Sequence, residues 1–570
     1  MNPQTPALPA HSALRSKTTS HGAAAASRLP TPPAVAVWAP RITLAAILVG
    51  TTLLRLRLLG IPLERDEGEF AYMGQLILRG EIPYVAAYNM KLPGTYYANA
   101  VILGLLGETD VAVRIGLLVI NLASIVVLFF LGRKLFGATV GLSAAAAYAL
   151  LALSPSVLGF AAQAEHFVIL PMLAGVLLLV DLGRQRRLRR IAGAGLLLGL
   201  AVLMKQHAAV FVAFGALALL VPMHGATRVR PRRLIAECAL FAVASLLPFA
   251  LTCLGIYATG AFSSFWFWTV SYASTYAVMI PFSLGVRQLG QQIVDITTAS
   301  PALWLLAALG ATALWWDGAV RRRARWLALF TITSLVAVCP GWRFSEHYFL
   351  LTLPAASLLV GVAVDALSRA AAGRRPRLAR VVRWGVPLLA VGLSMAQERA
   401  YLFQLPPDAV SRMVYGANPF PEAVEIASYV REHSDPADRI AVIGSEPEIY
   451  FYARRPAATG YIYMYSLMEA HDFSEHLQRD MIAQIERLQP RFLVLVNVDT
   501  SWTMQPDSSH LLLDWAAKTA DQDYEPVARA DIVPGEPTVY RWDSEARATP
   551  PRSRFYVVLF RRRQPGVAAG

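Results

Sequence analysis

The stretch Val111 to Gly132, VAVRIGLLVINLASIVVLFFLG, runs for 22 residues with a single charge, Arg114, and is followed at once by Arg133-Lys134. About 20 apolar residues cross the hydrocarbon of a bilayer as one helix, and a basic pair at one end marks the cytoplasmic side. The same signature recurs in both directions along the chain. Apolar windows at 42–59, 111–132, 138–155, 165–182, 191–204, 206–222, 234–258, 301–316, 326–340, 348–368 and 384–400 make about eleven crossings. With the N-terminus inside, Arg133-Lys134 and the basic runs at 184–190, 228–233, 321–325 and 374–383 all fall on the cytoplasmic face. That leaves 60–110, 156–164, 259–300 and 341–347 outside, and an odd number of crossings carries 401–570 to the outer face.

Composition agrees. Of 570 residues, 55% are apolar and 16% charged, against about 25% charged in a soluble enzyme; a disordered chain would be less apolar still. The net charge of +14 gathers in short runs between apolar segments, which is loop charge and not a nucleic-acid-binding face. Cys238, Cys253 and Cys339 sit inside apolar runs and suggest neither a disulfide framework nor a Cys metal site. Residues 1–40, rich in Ala, Pro, Ser and Thr, read as a disordered cytoplasmic tail. After residue 400 the pattern changes in kind. Short β-rich runs at Arg439 to Gly444 and Phe492 to Val496 alternate with helical stretches near 422–433 and 474–488. The expected fold is a polytopic α-helical membrane protein of about eleven transmembrane helices over 41–400, its outer loops at 60–110, 259–300 and 341–347, with a soluble α/β domain at 401–570 on the outer side.

The chemistry-bearing residues concentrate in the first outer loop. Leu63-Glu64-Arg65-Asp66-Glu67-Gly68-Glu69-Phe70-Ala71-Tyr72-Met73 opens it, and Phe70, Met73 and Ile77 at helical spacing predict an amphipathic helix lying in the membrane interface. Asp66 with Glu69 three residues on is also a capping-box pattern that needs no function. Carboxylates held beside lipid are costly, however, and mark a site. Tyr88 and Lys91 follow, with Lys91 just before Pro93 where a helix N-terminus and an ammonium both favour an anion. Arg114 opens the second span from outside. Glu165-His166 and Lys205-Gln206-His207 lie at outer ends of spans, and Arg343, Glu346 and His347 share an outer loop flanked by aromatics. The loop from Phe262 to Phe282 presents Trp266, Phe267, Trp268, Tyr272 and Tyr276, suited to sugar faces, isoprenoid chains or an interfacial belt. After it, Val286, Leu289, Ile293 and Ile296 predict a second interfacial helix over the cavity.

These motifs resemble the polyprenyl-phosphate-dependent glycosyltransferases of the GT-C class, family 39 in particular, which includes the protein O-mannosyltransferases and the lipid A aminoarabinose transferases. The resemblance rests on Arg65 to Tyr72, the Gly80-Glu81-Ile82-Pro83-Tyr84 turn, Lys91-Leu92-Pro93, Arg114 and Gly341 to Phe349. It extends more loosely to Glu446 to Arg455. It implies an inverting transfer of a sugar from an undecaprenyl-type phosphate carrier to an acceptor at the outer face of the cytoplasmic membrane. Asp66 would be the catalytic residue, Lys91 the contact to the donor phosphate with Arg114 and Arg343 beside it, and Glu67, Tyr88, Glu165, His166, Glu346 and His347 candidate cavity residues. The aminoarabinose transferases carry Glu immediately before that Lys where this chain has Met90, which weighs against aminoarabinose transfer to lipid A. The metal is left open: no ligand spacing of the His-x-x-x-His kind appears, and a divalent cation would be the only cofactor. Partners are the lipid-linked donor, membrane lipid and an acceptor that is glycan, lipid or protein. The competing reading is a lipid or glycolipid flippase without transferase activity. It is disfavoured because ionisable residues collect at one face and not along the spans.

Overall fold

The computed structural model describes residues 34–180, 182, 186–220, 231–373 and 375–563. Most of the expected tail, parts of the 184–190 and 228–233 runs and Arg374 lie outside the described residues. Each of the eleven apolar windows coincides with a helix, the first, Ala34–Arg57, beginning within the expected tail.

Length divides these helices. Trp38–Arg57, Asp110–Phe136, Pro231–Ala258, Glu346–Ala372 and Pro376–Gln397 are each long and apolar enough to cross a membrane alone. The pair Phe282–Ala299 and Pro301–Trp316, bent by 108°, makes a sixth if taken as one span. Others are shorter: the 14 residues of Ala138–Leu151 rise about 21 Å against roughly 30 Å of hydrocarbon. Each hydropathy window thus falls on a helix, while Gly94–Leu106 and Phe282–Ala299 lie outside the windows; among the described residues, five helices, or six spans with the bent pair, have full crossing length. Burial orders them as well. Glu346–Ala372 is 94% buried over its apolar window, against 11% for Trp38–Arg57 and 17% for Pro376–Gln397. The bundle is built around that helix, flanked by Ala138–Leu151 and Pro301–Trp316.

Residues 407–563 form helices around a five-stranded sheet of β1 (Ile440–Ile443), β2 (Phe492–Asn497), β3 (Tyr524–Ile532), β4 (Val539–Trp542) and β5 (Phe555–Arg562), in the order β1-β2-β5-β3-β4. Only β1 and β2 are parallel, joined by helices including Ser474–Leu488. Those two strands are the ones whose apolar runs stand out in the sequence. β3 is masked there by Arg529 and Asp531, buried charges that pair with each other and with Arg541.

Two hydrophobic cores organise the chain. One fills the helical bundle. The other joins the first outer loop (Leu63, Phe70, Tyr72, Met73, Tyr84, Tyr96) to the strands and helices of the C-terminal domain (Ile440, Tyr450, Ile462, Val494, Leu559). The helix Arg65–Leu78 is therefore not an interfacial helix: eleven of its residues are buried, because protein covers it on two sides, the helix Gly94–Leu106 on the Phe70 and Gly74 face and the C-terminal domain on the Gly68 and Tyr72 face. Gly68 sets the fit. A Cβ there would lie 2.5 Å from the Cβ and 2.6 Å from the backbone N of Glu448, so the helix Pro447–Ala453 lies directly on that residue.

Candidate active site

The helix carrying Asp66 is started by its neighbours. Glu64 is the N-cap: its carboxylate accepts from the Glu67 N–H at 2.9 Å and the Glu67 side chain reaches back to the Glu64 N–H. The capping box thus uses Glu64 and Glu67, not Asp66 and Glu69, and the Asp66 side chain is left to face a cavity.

That cavity has a volume of about 540 Å³ and lies between the first outer loop, the loops at 155–163, 205–207, 268–277 and 340–348, and the C-terminal domain. Lys91 donates to Asp66 Oδ1 at 2.8 Å and also to Glu69, whose other oxygen accepts from the Tyr96 hydroxyl at 2.7 Å. Tyr463, from the C-terminal domain, donates to the same Asp66 Oδ1 at 2.5 Å. On the facing wall Lys205 donates to Glu165 at 2.5 Å and lies 4.3 Å from the Tyr348 ring centroid, with His347 Nε2 3.9 Å from the same Glu165 oxygen. Arg343 pairs with Glu469 at 3.1 Å and stacks over Tyr276 at 3.5 Å. Trp268, Tyr272 and Tyr276, spaced four apart, line the rim, and Tyr88 stacks on Trp268 with centroids 5.5 Å apart.

Electrostatics separates the carboxylates. Burial alone would raise Asp66, but the Lys91 ammonium and the hydrogen bonds from Lys91 and Tyr463 outweigh it and hold Asp66 below the usual carboxylate range. Glu69, more deeply buried, is raised in spite of Lys91. Glu64 is raised to about 8 by burial and by the neighbouring Asp66 and Glu67 charges. Lys91 is pushed up: its burial is outweighed by Asp66 and Glu69. The site is an ionised aspartate ringed by further carboxyls, phenols and fixed cations.

Of the residues expected from sequence, Asp66, Tyr88, Lys91, Arg343, Glu346 and His347 line this cavity together. Glu67, Arg114, Glu165 and His166 do not. Arg114 points away from it and binds Glu67 at 2.8 Å in a buried pair, with backbone carbonyls of Ile61, Pro62 and Phe160 as further acceptors. His166 Nε2 meets the Gly159 carbonyl at 3.1 Å, fully enclosed. The helix Phe282–Ala299 forms as expected but contributes nothing to the lining; it rests on Trp342 through Gly285. Sequence reasoning missed Glu64, Arg65, Asn418, Tyr463 and Tyr465, which line the cavity. The one available signal was the alternation Tyr461-Ile462-Tyr463-Met464-Tyr465, an extended pattern that puts three rings on one face. Among the described residues no three His, Cys, Asp or Glu side chains converge as a metal site.

An apolar helical bundle with an aspartate-and-cation cavity at one end, roofed by a mixed α/β domain, is a GT-C fold. Residues 91–252 match the family model described as dolichyl-phosphate-mannose-protein mannosyltransferase. The crystal structure of ArnT from Cupriavidus metallidurans bound to undecaprenyl phosphate superposes with a TM-score of 0.57 at 16% identity, covering 93% of this chain and 98% of that one; its apo state gives 0.56 at 17%, covering 92% and 98%. The archaeal oligosaccharyltransferase AglB from Archaeoglobus fulgidus, in complex with an inhibitory peptide and a dolichol-phosphate, gives 0.50 at 12%, covering 90% and 75%. No curated protein sequence matches the chain significantly.

Proposed function

We propose that this protein is a multi-pass membrane glycosyltransferase that moves a sugar from a polyprenyl-phosphate carrier to an acceptor hydroxyl at the outer face of the cytoplasmic membrane, with inversion at the anomeric carbon. The observation that carries this is Asp66, ionised and facing a cavity at the end of an apolar bundle where cations are already fixed. The long helix Asp110–Phe136 supports this orientation: Arg114, which pairs with Glu67 next to Asp66, lies near one end and Arg133-Lys134 about 28 Å along the axis at 1.5 Å per residue, at the end away from the site.

In this reading Asp66 takes the acceptor proton as the new glycosidic bond forms. The bond from the anomeric carbon to the carrier phosphate breaks on the opposite side, and the lipid phosphate leaves with the bonding pair. Lys91 and Arg343 meet its charge. A carboxylate held far below its ordinary pKa is a weak base. A donor phosphate competes with Asp66 for Lys91, however, so loading the donor weakens the counter-charge on Asp66 and makes it more basic when a proton must be taken. The rim aromatics Trp268, Tyr272 and Tyr276 offer faces for the sugar or the first isoprene units.

The test is transfer of labelled sugar by purified protein from undecaprenyl-phosphate mannose, glucose, galactose and arabinose to an extract of the cell envelope, with Asp66→Asn in parallel. Label that moves with the wild type and stops with the variant supports the reaction and names the donor. No transfer from any of the four by folded protein sinks the reading, and transfer surviving the substitution removes Asp66 from its role.

A further inference from the structure

The C-terminal domain does more than roof the cavity. Tyr463 belongs to the segment that leads into the short helix Tyr465–Met468 and is pinned on both sides: Gly460 packs so closely that a Cβ would lie 2.4 Å from the Tyr88 ring, the Met464 N–H donates to Ser445 Oγ at 2.9 Å, and Tyr465 accepts from Arg65 Nη1 at 2.9 Å while donating to the Thr500 carbonyl at 2.9 Å. Tyr461 is tied separately, donating to Asp480 at 2.9 Å. With both neighbours in the alternation fixed, the middle phenol is aimed at Asp66. Its hydroxyl and the Lys91 ammonium both donate to Oδ1, and among the described residues no hydrogen bond engages Oδ2. Two donors from different directions on one oxygen fix the carboxylate's rotation, and the other oxygen keeps its lone pairs.

We propose that Tyr463 is a positioning residue for the transfer step: the C-terminal domain delivers its hydroxyl to Asp66 Oδ1, which presents Oδ2 to the acceptor. This rests on the transferase reading above. The role is separable from charge. Asp66 is surrounded by Glu64, Glu69 and Lys91 from its own loop, by Glu165 and His347 across the cavity and by the phenols of Tyr96, Tyr276 and Tyr465. Removing one hydroxyl leaves all of these in place while freeing the carboxylate to rotate about a single remaining donor, Lys91, which the carrier phosphate draws away.

The experiment uses the full-length protein and the four undecaprenyl-phosphate sugars above. Tyr463→Phe lowers kcat by at least about tenfold, the scale on which small misplacements of a reacting group act, with the KM for donor and the thermal midpoint unchanged. A fluorinated tyrosine at 463, which keeps both ring and donor, restores kcat. Tyr461→Phe, in the same segment but outside the cavity lining and bonded to Asp480, stays within about twofold of wild type. A Tyr463→Phe enzyme with wild-type kcat overturns the inference, as does a loss that appears equally in donor KM or in stability, or one that the fluorinated side chain fails to restore. Asp66→Asn separates the two levels: if it is inactive while Tyr463→Phe is unimpaired, the transferase reading stands and this inference falls, whereas an active Asp66→Asn or an inactive wild type removes both.

Discussion

Asp66 and Glu67 are adjacent in sequence, and each holds one cation from elsewhere in the chain, yet the two pairs are different devices. The Asp66–Lys91 pair keeps about a fifth of each side chain exposed to the cavity, at 21% and 22%. The Glu67–Arg114 pair is sealed, at 0% and 3%. One step of about 100° around a helix separates them. On the sealed side the carboxylate also accepts from the backbone N–H groups of Ala162 and Glu64, so it ties the start of the first outer loop to the second span. On the open side the carboxylate keeps an oxygen free. A charged pair becomes chemistry when water and substrate reach it, and architecture when they do not.

The comparison breaks most sharply at Asp66. Asp66→Asn is expected to cut transfer by about 1,000-fold or more, within the range of general-base catalysis, with an unchanged thermal midpoint in detergent; a loss of fold instead would place Asp66 on the structural side. Arg114→Met is the counterpart. It leaves Glu67 buried without its cation, a loss of roughly 3–5 kcal/mol read from thermal unfolding, while activity per folded molecule persists. A stable but inactive Arg114→Met protein would return Arg114 to the donor site. Lys91→Met is expected to slow transfer about 100-fold, as for removal of one preorganised donor to a leaving oxyanion, and to raise the Asp66 pKa toward the ordinary carboxylate range. A shift of the Asp66 carboxyl band by difference infrared spectroscopy between the two proteins checks the second part.

The smallest effect concerns Glu64, which caps the helix from the cavity edge. Its folded pKa of about 8 lies above its ordinary 4.5, so the folded state holds the proton more tightly. The contribution to stability is complete below about pH 4.5 and fades as pH rises through 8. Wild-type thermal midpoints are therefore expected to decline across that window and Glu64→Gln to flatten the decline. Equal slopes in the two proteins would contradict the assignment of a neutral Glu64.

Much of this was legible from residues alone. Each hydropathy window fell on a helix of the bundle, because burial in hydrocarbon demands an unbroken apolar run. Asp66 and Lys91 declared themselves because charge beside such runs is expensive. The two apolar strands β1 and β2 were visible for the same reason, and β3 was not, because its buried Arg529 and Asp531 cancel each other only after folding. Amphipathicity misled at Arg65–Leu78, since an apolar stripe is the same whether lipid or another helix of the protein covers it.

The sequence by itself thus determined an apolar helical bundle, a C-terminal α/β segment and a charge-rich loop after the first apolar helix, each being a statement about local composition and periodicity. The tertiary structure decided which acids and cations share a cavity: it turned Glu67, Arg114 and His166 inward as struts and brought Tyr463 from nearly four hundred residues away onto Asp66. Side-chain direction and long-range contact depend on how the elements pack against one another, and no local pattern in the chain encodes that packing.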